Sequence, residues 1–255
     1  MLLAVDVGNT QTHIGIFQAD EIVAEWRTST DPRRTADELA LVFQEFLSFQ
    51  DLSFSRQVSG VVISSVVPSL TAALREMVLE YFHFDPVIVE AGTKTGMPIM
   101  TDNPREVGAD RIVNAVAAYA LVGGPSIVID FGTATTLDAV SQDGNYLGGA
   151  IAPGVQISAS ALWNVAAQIQ KVELSAPKSV IGKSTNECVR SGVVLGAASM
   201  VEGMVERMQK ELGGHAEVIA TGGLAPLILD ECRDTYRHEP SLTLRGLRII
   251  YDRNV

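Results

Sequence analysis

The chain has 255 residues, 47% of them hydrophobic and 19% charged, and a formal net charge of −11. That acidity opposes a nucleic-acid surface, which needs clustered Lys and Arg. No stretch reaches the roughly 18 consecutive apolar residues of a membrane span.

The apolar start, Met1 to Val5, is short and lacks a basic flank, so no signal peptide is expected and the expected location is cytoplasmic. Two cysteines, Cys188 and Cys232, cannot build a metal quartet or a disulfide framework. They read as apolar thiols in a reducing compartment.

Residues 2–6 read as a buried strand, and His13–Phe17 and Ile22–Trp26 as two more, joined by a hairpin at Gln18–Glu21. Thr35-Ala36-Asp37-Glu38 is a capping box that opens a helix to about Leu47. Val58–Val67 reads as a central strand ended by Pro68, Ser69–Phe82 as a helix, and Pro86–Glu90 as a strand. A helix at Arg111–Ala120 follows, then Gly123-Gly124-Pro125.

The second half restarts the programme. Strands are expected at 126–130, Thr136–Val140 and Tyr146–Ala152, with a tight hairpin at Asp143-Gly144-Asn145. Gly148 and Gly149 allow close backbone approach. Pro153-Gly154 leads into a helix to about Gln170, and Asn186–Leu212 forms a long helix with a Met stripe that suits a core or a subunit interface. Glu217–Ala220 is a strand that Thr221-Gly222-Gly223 turns into another helix.

One phrase occurs twice. Asp6-Val7-Gly8-Asn9-Thr10 and Asp130-Phe131-Gly132-Thr133-Ala134-Thr135-Thr136 each follow a short apolar run. A strand-end carboxylate before a glycine turn rich in hydroxyls suits a metal-bound phosphate. Taken alone, the first turn fits a plain hairpin equally well; the pairing favours phosphate. In Gly108-Ala109-Asp110-Arg111, Asp110 suits either a helix N-cap or a proton acceptor, and spacing alone favours the cap. Gly182-Lys183-Ser184 imitates the end of a phosphate loop, but Pro177 stands where that loop needs glycine.

These pieces together resemble the superfamily of acetate and sugar kinases, Hsp70 and actin. In detail they resemble type III pantothenate kinases. The words that carry the resemblance are Asp6–Thr10, Ser64-Ser65-Val66-Val67-Pro68, Gly92–Gly96, Asn103–Arg111, Asp130–Thr136, Gly148–Gly154 and Gly182–Thr185, in the family's order over nearly the whole chain. The resemblance implies an α/β fold of duplicated ribonuclease H-like domains, expected at 1–114 and 115–255, with the active site in the cleft between them. It implies ATP-dependent phosphorylation of pantothenate to 4′-phosphopantothenate, the first step of coenzyme A synthesis.

By the same resemblance, Asp6, Val7, Gly8, Asn9, Thr10, Gln11, Thr12 and His13 would line the ATP phosphates, with Thr133 also on ATP. Asp6 would hold Mg²⁺, and Asp130 a monovalent cation, K⁺ or NH₄⁺. Thr101, Gly108, Ala109, Asp110, Arg111 and Thr185 would bind pantothenate, with Asp110 as the general base. A homodimer is implied, without nucleic acid or membrane. Three positions depart from the common pattern. Thr101 replaces an aromatic residue, Phe131 a Tyr, and His13 a Lys, which would make that phosphate contact pH-sensitive. Two other readings stand beside this one: a related small-molecule kinase, and a catalytically silent regulatory protein on the same fold.

Overall fold

The computed structural model describes residues 1–53, 57–165 and 171–255. The elements in chain order are β1 (Leu2–Val7), β2 (Gln11–Gln18), β3 (Glu21–Ser29), α1 (Ala36–Ser48), β4 (Gly60–Ser65), α2 (Pro68–Phe82), β5 (Val87–Ile88), α3 (Ala109–Val122), β6 (Ser126–Phe131), β7 (Ala134–Val140), β8 (Tyr146–Pro153), α4 (Val155–Val165), α5 (Thr185–Glu211), β9 (Glu217–Thr221), α6 (Ala225–Leu229), β10 (Arg237–His238) and α7 (Leu242–Asp252). The expected end of α4 near Gln170 lies outside the described residues.

Two compact units emerge. The first holds Met1–Met97, Asp102–Ala117 and Leu242–Val255; the second holds Pro98–Thr101 and Ala118–Ser241. The change of unit falls within α3, while Pro98–Thr101 belongs to the second unit and the C-terminal helix α7 to the first.

Each unit is built on a five-stranded sheet, β3-β2-β1-β4-β5 in the first and β8-β7-β6-β9-β10 in the second. The strands correspond one for one. β1 pairs antiparallel with β2 and parallel with β4, as β6 does with β7 and β9. The duplication implied by a repeated five-residue phrase is therefore a duplication of whole sheets.

In the first unit one sheet face carries Leu3, Val5, Ile14, Ile16, Val61 and Ile63, packed against α1 and α2. The capping box opens α1 as expected: Thr35 Oγ1 accepts from Glu38 N, and Glu38 accepts from Thr35 N. The opposite face meets α7, an amphipathic helix whose apolar side (Leu242, Leu244, Leu247, Ile250) is fully buried. Glycines make this approach possible. A Cβ on Gly15 would stand 2.7 Å from Leu244 Cδ1, and one on Gly246 would stand 2.2 Å from the Val113 carbonyl oxygen. Thr243 Oγ1 donates to Asn114 Oδ1 at 2.7 Å, tying α7 to α3 through a buried polar pair.

In the second unit α5 covers the sheet through Val194, Ala198, Val201 and Val205, with Met200, Met204 and Met208 packed against that core. The Met stripe thus serves the core. By length and hydropathy α5 would suffice to cross a membrane, but one of its faces is the lid of this sheet.

The contact at Gly246 is to backbone, which cannot swing aside, so Gly246→Ala should lower the melting temperature by several degrees, equivalent to roughly 1–3 kcal/mol. Gly203, in the interior of α5, has open space where its Cβ would be. Gly203→Ala should leave the melting temperature unchanged or raise it, because alanine favours helix by about 1 kcal/mol. Thermal unfolding of the two variants beside the parent checks both.

Candidate functional site

The first glycine turn joins β1 to β2. Gly8 N–H donates to Gln11 O at 3.0 Å, and Thr30 N–H donates to Thr10 O at 3.0 Å. The turn leaves Asn9, Thr10 and Gln11 exposed while Thr12 and His13 are buried. Thr12 Oγ1 lies 2.9 Å from Thr30 Oγ1. Cross-strand register sets His13 and Ser64 on either side of Asp6, and paired residues share a sheet face. The strand-end carboxylate is therefore the middle of a polar row.

The second unit repeats the row. Gly132 N–H donates to Ala134 O at 3.1 Å, and Thr136 and Thr221 flank Asp130 in register. Gly132 and Thr133 are exposed at the tip. Gly222, at φ +98°, lies against the end of β6: a Cβ there would be 2.6 Å from Phe131 O. The Thr221-Gly222-Gly223 turn is thus packed on the end of β6, beside the second glycine turn.

Ser64 carries part of the family resemblance but has no role assigned from sequence. It is fully buried and its Oγ has no hydrogen-bond partner among the described residues. The available signal was a pair of hydroxyls, Ser64-Ser65, ending a Val/Ile strand; without the register, nothing tied them to Asp6.

His13 behaves differently from a phosphate-binding cation. Its Nε2 lies 3.2 Å from Glu25 Oε2. A carboxylate only accepts, so Nε2 carries the proton. Burial first, then the charge of Arg27, lowers its pKa from the ordinary 6.5 to about 4, against the pull of Glu25. Near neutral pH the ring is uncharged.

Gly108–Arg111 forms the start of α3, preceded by a 3₁₀ turn at Pro104–Glu106 that Asn103 caps. The N-cap reading of Asp110 fails, because the helix already begins at Ala109. The carboxylate accepts instead from the next backbone group, Arg111 N–H, at 2.8 Å. Burial raises its pKa, opposed by that bond and by the Arg111 charge. Gly108 leaves room beside it: a Cβ there would stand 2.6 Å from Asp110 Oδ1, and the carboxylate would have to turn away.

Thr185 is the first residue of α5, and Gly182-Lys183-Ser184 is the cap of that helix. Ser184 Oγ accepts from Glu187 N–H, and Lys183 N–H donates to Glu187 Oε2 at 2.8 Å. Thr185 borders an apolar groove of about 690 Å³ between α4 and α5, floored by Thr135 and flanked by Leu162, Val189 and Met200. Thr101 lies in the short segment Pro98–Thr101 of the second unit.

The expected residues thus fall into two sets. Asp6–His13 and Gly108–Arg111 belong to the first unit; Thr101, Asp130, Thr133 and Thr185 belong to the second. Among the described residues no three His, Cys, Asp or Glu side chains cluster as a metal site. A cation here would rest on a single carboxylate, completed by hydroxyls, ligand phosphates and water. That donor set is all oxygen, which suits Mg²⁺ or K⁺ rather than a transition metal.

Comparison with known proteins follows the same lines. The family model of type III pantothenate kinases matches residues 2–207. A type III pantothenate kinase of Streptomyces griseus subsp. griseus is 54% identical over 262 residues, covering 100% of this chain and 99% of its own length. Among solved structures, a putative Baf family transcriptional activator from Campylobacter jejuni is similar at a TM-score of 0.62 and 17% identity, covering 99% of this chain and 98% of that one. A putative 2-dehydro-3-deoxygalactonokinase from Sinorhizobium meliloti is similar at a TM-score of 0.58 and 13% identity, over 99% and 96%. At these identities the two structures speak for the fold alone, a duplicated α/β fold shared with sugar kinases. The full-length sequence match speaks for more: this chain belongs to the type III pantothenate kinase family.

Proposed function

We propose that this chain transfers the γ-phosphoryl group of ATP to the primary hydroxyl of pantothenate, giving 4′-phosphopantothenate and ADP, with Asp110 as the general base. The observation that carries the reading is the Asp110 carboxylate. It is partly drawn out of water, raised in pKa by that burial, and oriented by the Arg111 N–H. A carboxylate so prepared accepts a proton more readily than one in water.

As the hydroxyl oxygen forms its bond to the γ-phosphorus, its proton passes to Asp110 and the bond from that phosphorus to the ADP oxygen breaks. Such a transfer asks the protein chiefly to position groups and to offset charge. Arg111 supplies the fixed positive fork for the acceptor's carboxylate. Gly108 and Ala109 form the backbone beside it, and Thr101 and Thr185 complete the acceptor contacts. Asp6 through His13 line the ATP phosphates, joined by Thr133. His13 does so as a neutral ring, its charge suppressed by burial.

Asp6 is the residue that would hold Mg²⁺, and Asp130, with Thr136 and Thr221 beside it in register, the one that would hold K⁺ or NH₄⁺. When bound, these cations supply the positive charge that a chain of net charge −11 lacks. We further read the enzyme as a homodimer, supported by the exposed apolar side chains Ile151, Ile157 and Leu162 on β8 and α4.

Asp110→Asn keeps the shape and removes the base. Its turnover should fall by about 10²–10⁴-fold with the melting temperature nearly unchanged; steady-state release of ADP on ATP and pantothenate measures it, and near-normal turnover would remove Asp110 from the role. Omitting K⁺ and NH₄⁺ should sharply reduce the same rate; an identical rate in a sodium-only buffer would remove Asp130 from the cation role.

His13 gives a stability prediction. Between pH 6.5 and about 4 the unfolded chain takes up a proton that the folded ring refuses, so stability falls as pH falls through that window. The full effect is at most about 3 kcal/mol, and Asp110, whose folded pKa is raised, works in the opposite direction. His13→Gln should lose less of its melting temperature than the parent between pH 7 and pH 4.5. Parallel curves would show that the ring is not the titrating group.

A further inference from the structure

The second unit holds a buried pair for which the reaction above has no use. Tyr146, at the start of β8, is 0% exposed, and its hydroxyl donates to Asp138 Oδ1 at 2.6 Å; Asp138, on β7, is 1% exposed. Both stand on the sheet face that carries Asp130 and Thr136, two and four residues along from the phosphate turn's row. A buried carboxylate is costly to keep, and this one has been given room. Gly149 lies opposite Asp138 in register, and a Cβ there would stand 2.8 Å from Asp138 Oδ1.

The main chain of Tyr146 holds a second partner. Its N–H donates to Pro98 O at 2.9 Å, and its carbonyl accepts from Met100 N–H at 2.8 Å. Ile99 pairs with it as an isolated parallel bridge. Four residues, Pro98–Thr101, are thereby strapped to the edge of the second sheet while the chain on either side belongs to the first unit. The strap ends at Thr101, whose Cγ2 lies 3.7 Å from where a Cβ of Gly148 would be; Gly148 itself has φ +114°. Gly149 thus makes room for the Asp138 carboxyl, while Gly148 is favoured by its positive φ and leaves ordinary van der Waals contact with the strap. Thr101 Oγ1 is shielded from solvent and has no hydrogen-bond partner among the described residues. Once a turn about χ1 uncovers it, a carbonyl or hydroxyl on a bound acceptor would supply the bond it lacks.

We propose that Tyr146 and Asp138 are positioning residues for the acceptor alcohol, acting through Thr101. The ring hydroxyl fixes Tyr146 on β7, and the Tyr146 backbone fixes the strap. The strap presents Thr101 immediately before the Asn103–Arg111 segment. This rests on the reading of Thr101 and Gly108–Arg111 as the acceptor site.

The test is steady-state kinetics of Tyr146→Phe, Thr101→Val and the double variant, with ATP and pantothenate varied separately. Tyr146→Phe should raise the KM for pantothenate by about fivefold or more, with kcat within about twofold and the KM for ATP unchanged. Thr101→Val should do the same, and the double variant should be no worse than the weaker-binding single, because both act on one contact. An unchanged pantothenate KM in Tyr146→Phe overturns the proposal, as does an equal rise in both KM values or a double variant that multiplies the single effects. If Tyr146→Phe does not fold, an unchanged pantothenate KM in Thr101→Val overturns it alone. A parent enzyme that does not phosphorylate pantothenate would overturn the underlying function instead.

Discussion

The structure depends on one arrangement used twice: a carboxylate at the end of a buried central strand. Asp6 ends a strand whose neighbours on both sides are buried, and Asp130 does the same in the second unit. Such a group is tolerated only where polar partners or a bound cation offset its desolvation. Each unit meets that demand in the same way. The flanking strands bring polar residues into register, His13 and Ser64 in one case and Thr136 and Thr221 in the other. A glycine turn then caps the strand with exposed hydroxyls and N–H groups. The row needs a central strand with an antiparallel neighbour on one side and a parallel one on the other, so the sheet order follows from the site as much as the site from the sheet.

Much of this was legible in the sequence. The Asp-Gly phrases identify strand ends because apolar runs precede them, and the capping box at Thr35–Glu38 fixes the start of α1 to a residue. Gly182-Lys183-Ser184 lacks the glycine of a phosphate loop, and its role as a helix cap agrees. What stayed hidden depends on register or on distant partners. Ser64 joins Asp6 only through parallel pairing across 57 intervening residues. The strap at Pro98–Thr101 is too short to show a period and is defined by bonds to Tyr146. α7 is strongly amphipathic, but its place in the first unit rests on glycine gaps at Gly15 and Gly60, which in a sequence read as weak points of strands.

His13 and Asp110 show why residue type alone does not assign a role. A histidine beside a phosphate turn invites a reading as a titrating cation. Burial and Arg27 hold it neutral down to about pH 4, so its contribution is a hydrogen bond and a packed ring. An aspartate before an alanine-rich helix invites a reading as a cap. The helix has already begun, and the carboxylate is left half-buried with a raised pKa. In both cases the same physical term, desolvation, decides the outcome, and it lowers the charge of one group while strengthening the other as a base.

The most direct test of the account is to identify the product. Purified chain incubated with ATP, Mg²⁺, K⁺ and pantothenate should convert pantothenate to a species heavier by one phosphoryl group, with ADP formed in equal amount, as mass spectrometry and nucleotide analysis would record. ADP formed without a phosphorylated acceptor, or no turnover in K⁺ and in NH₄⁺ alike, would contradict it.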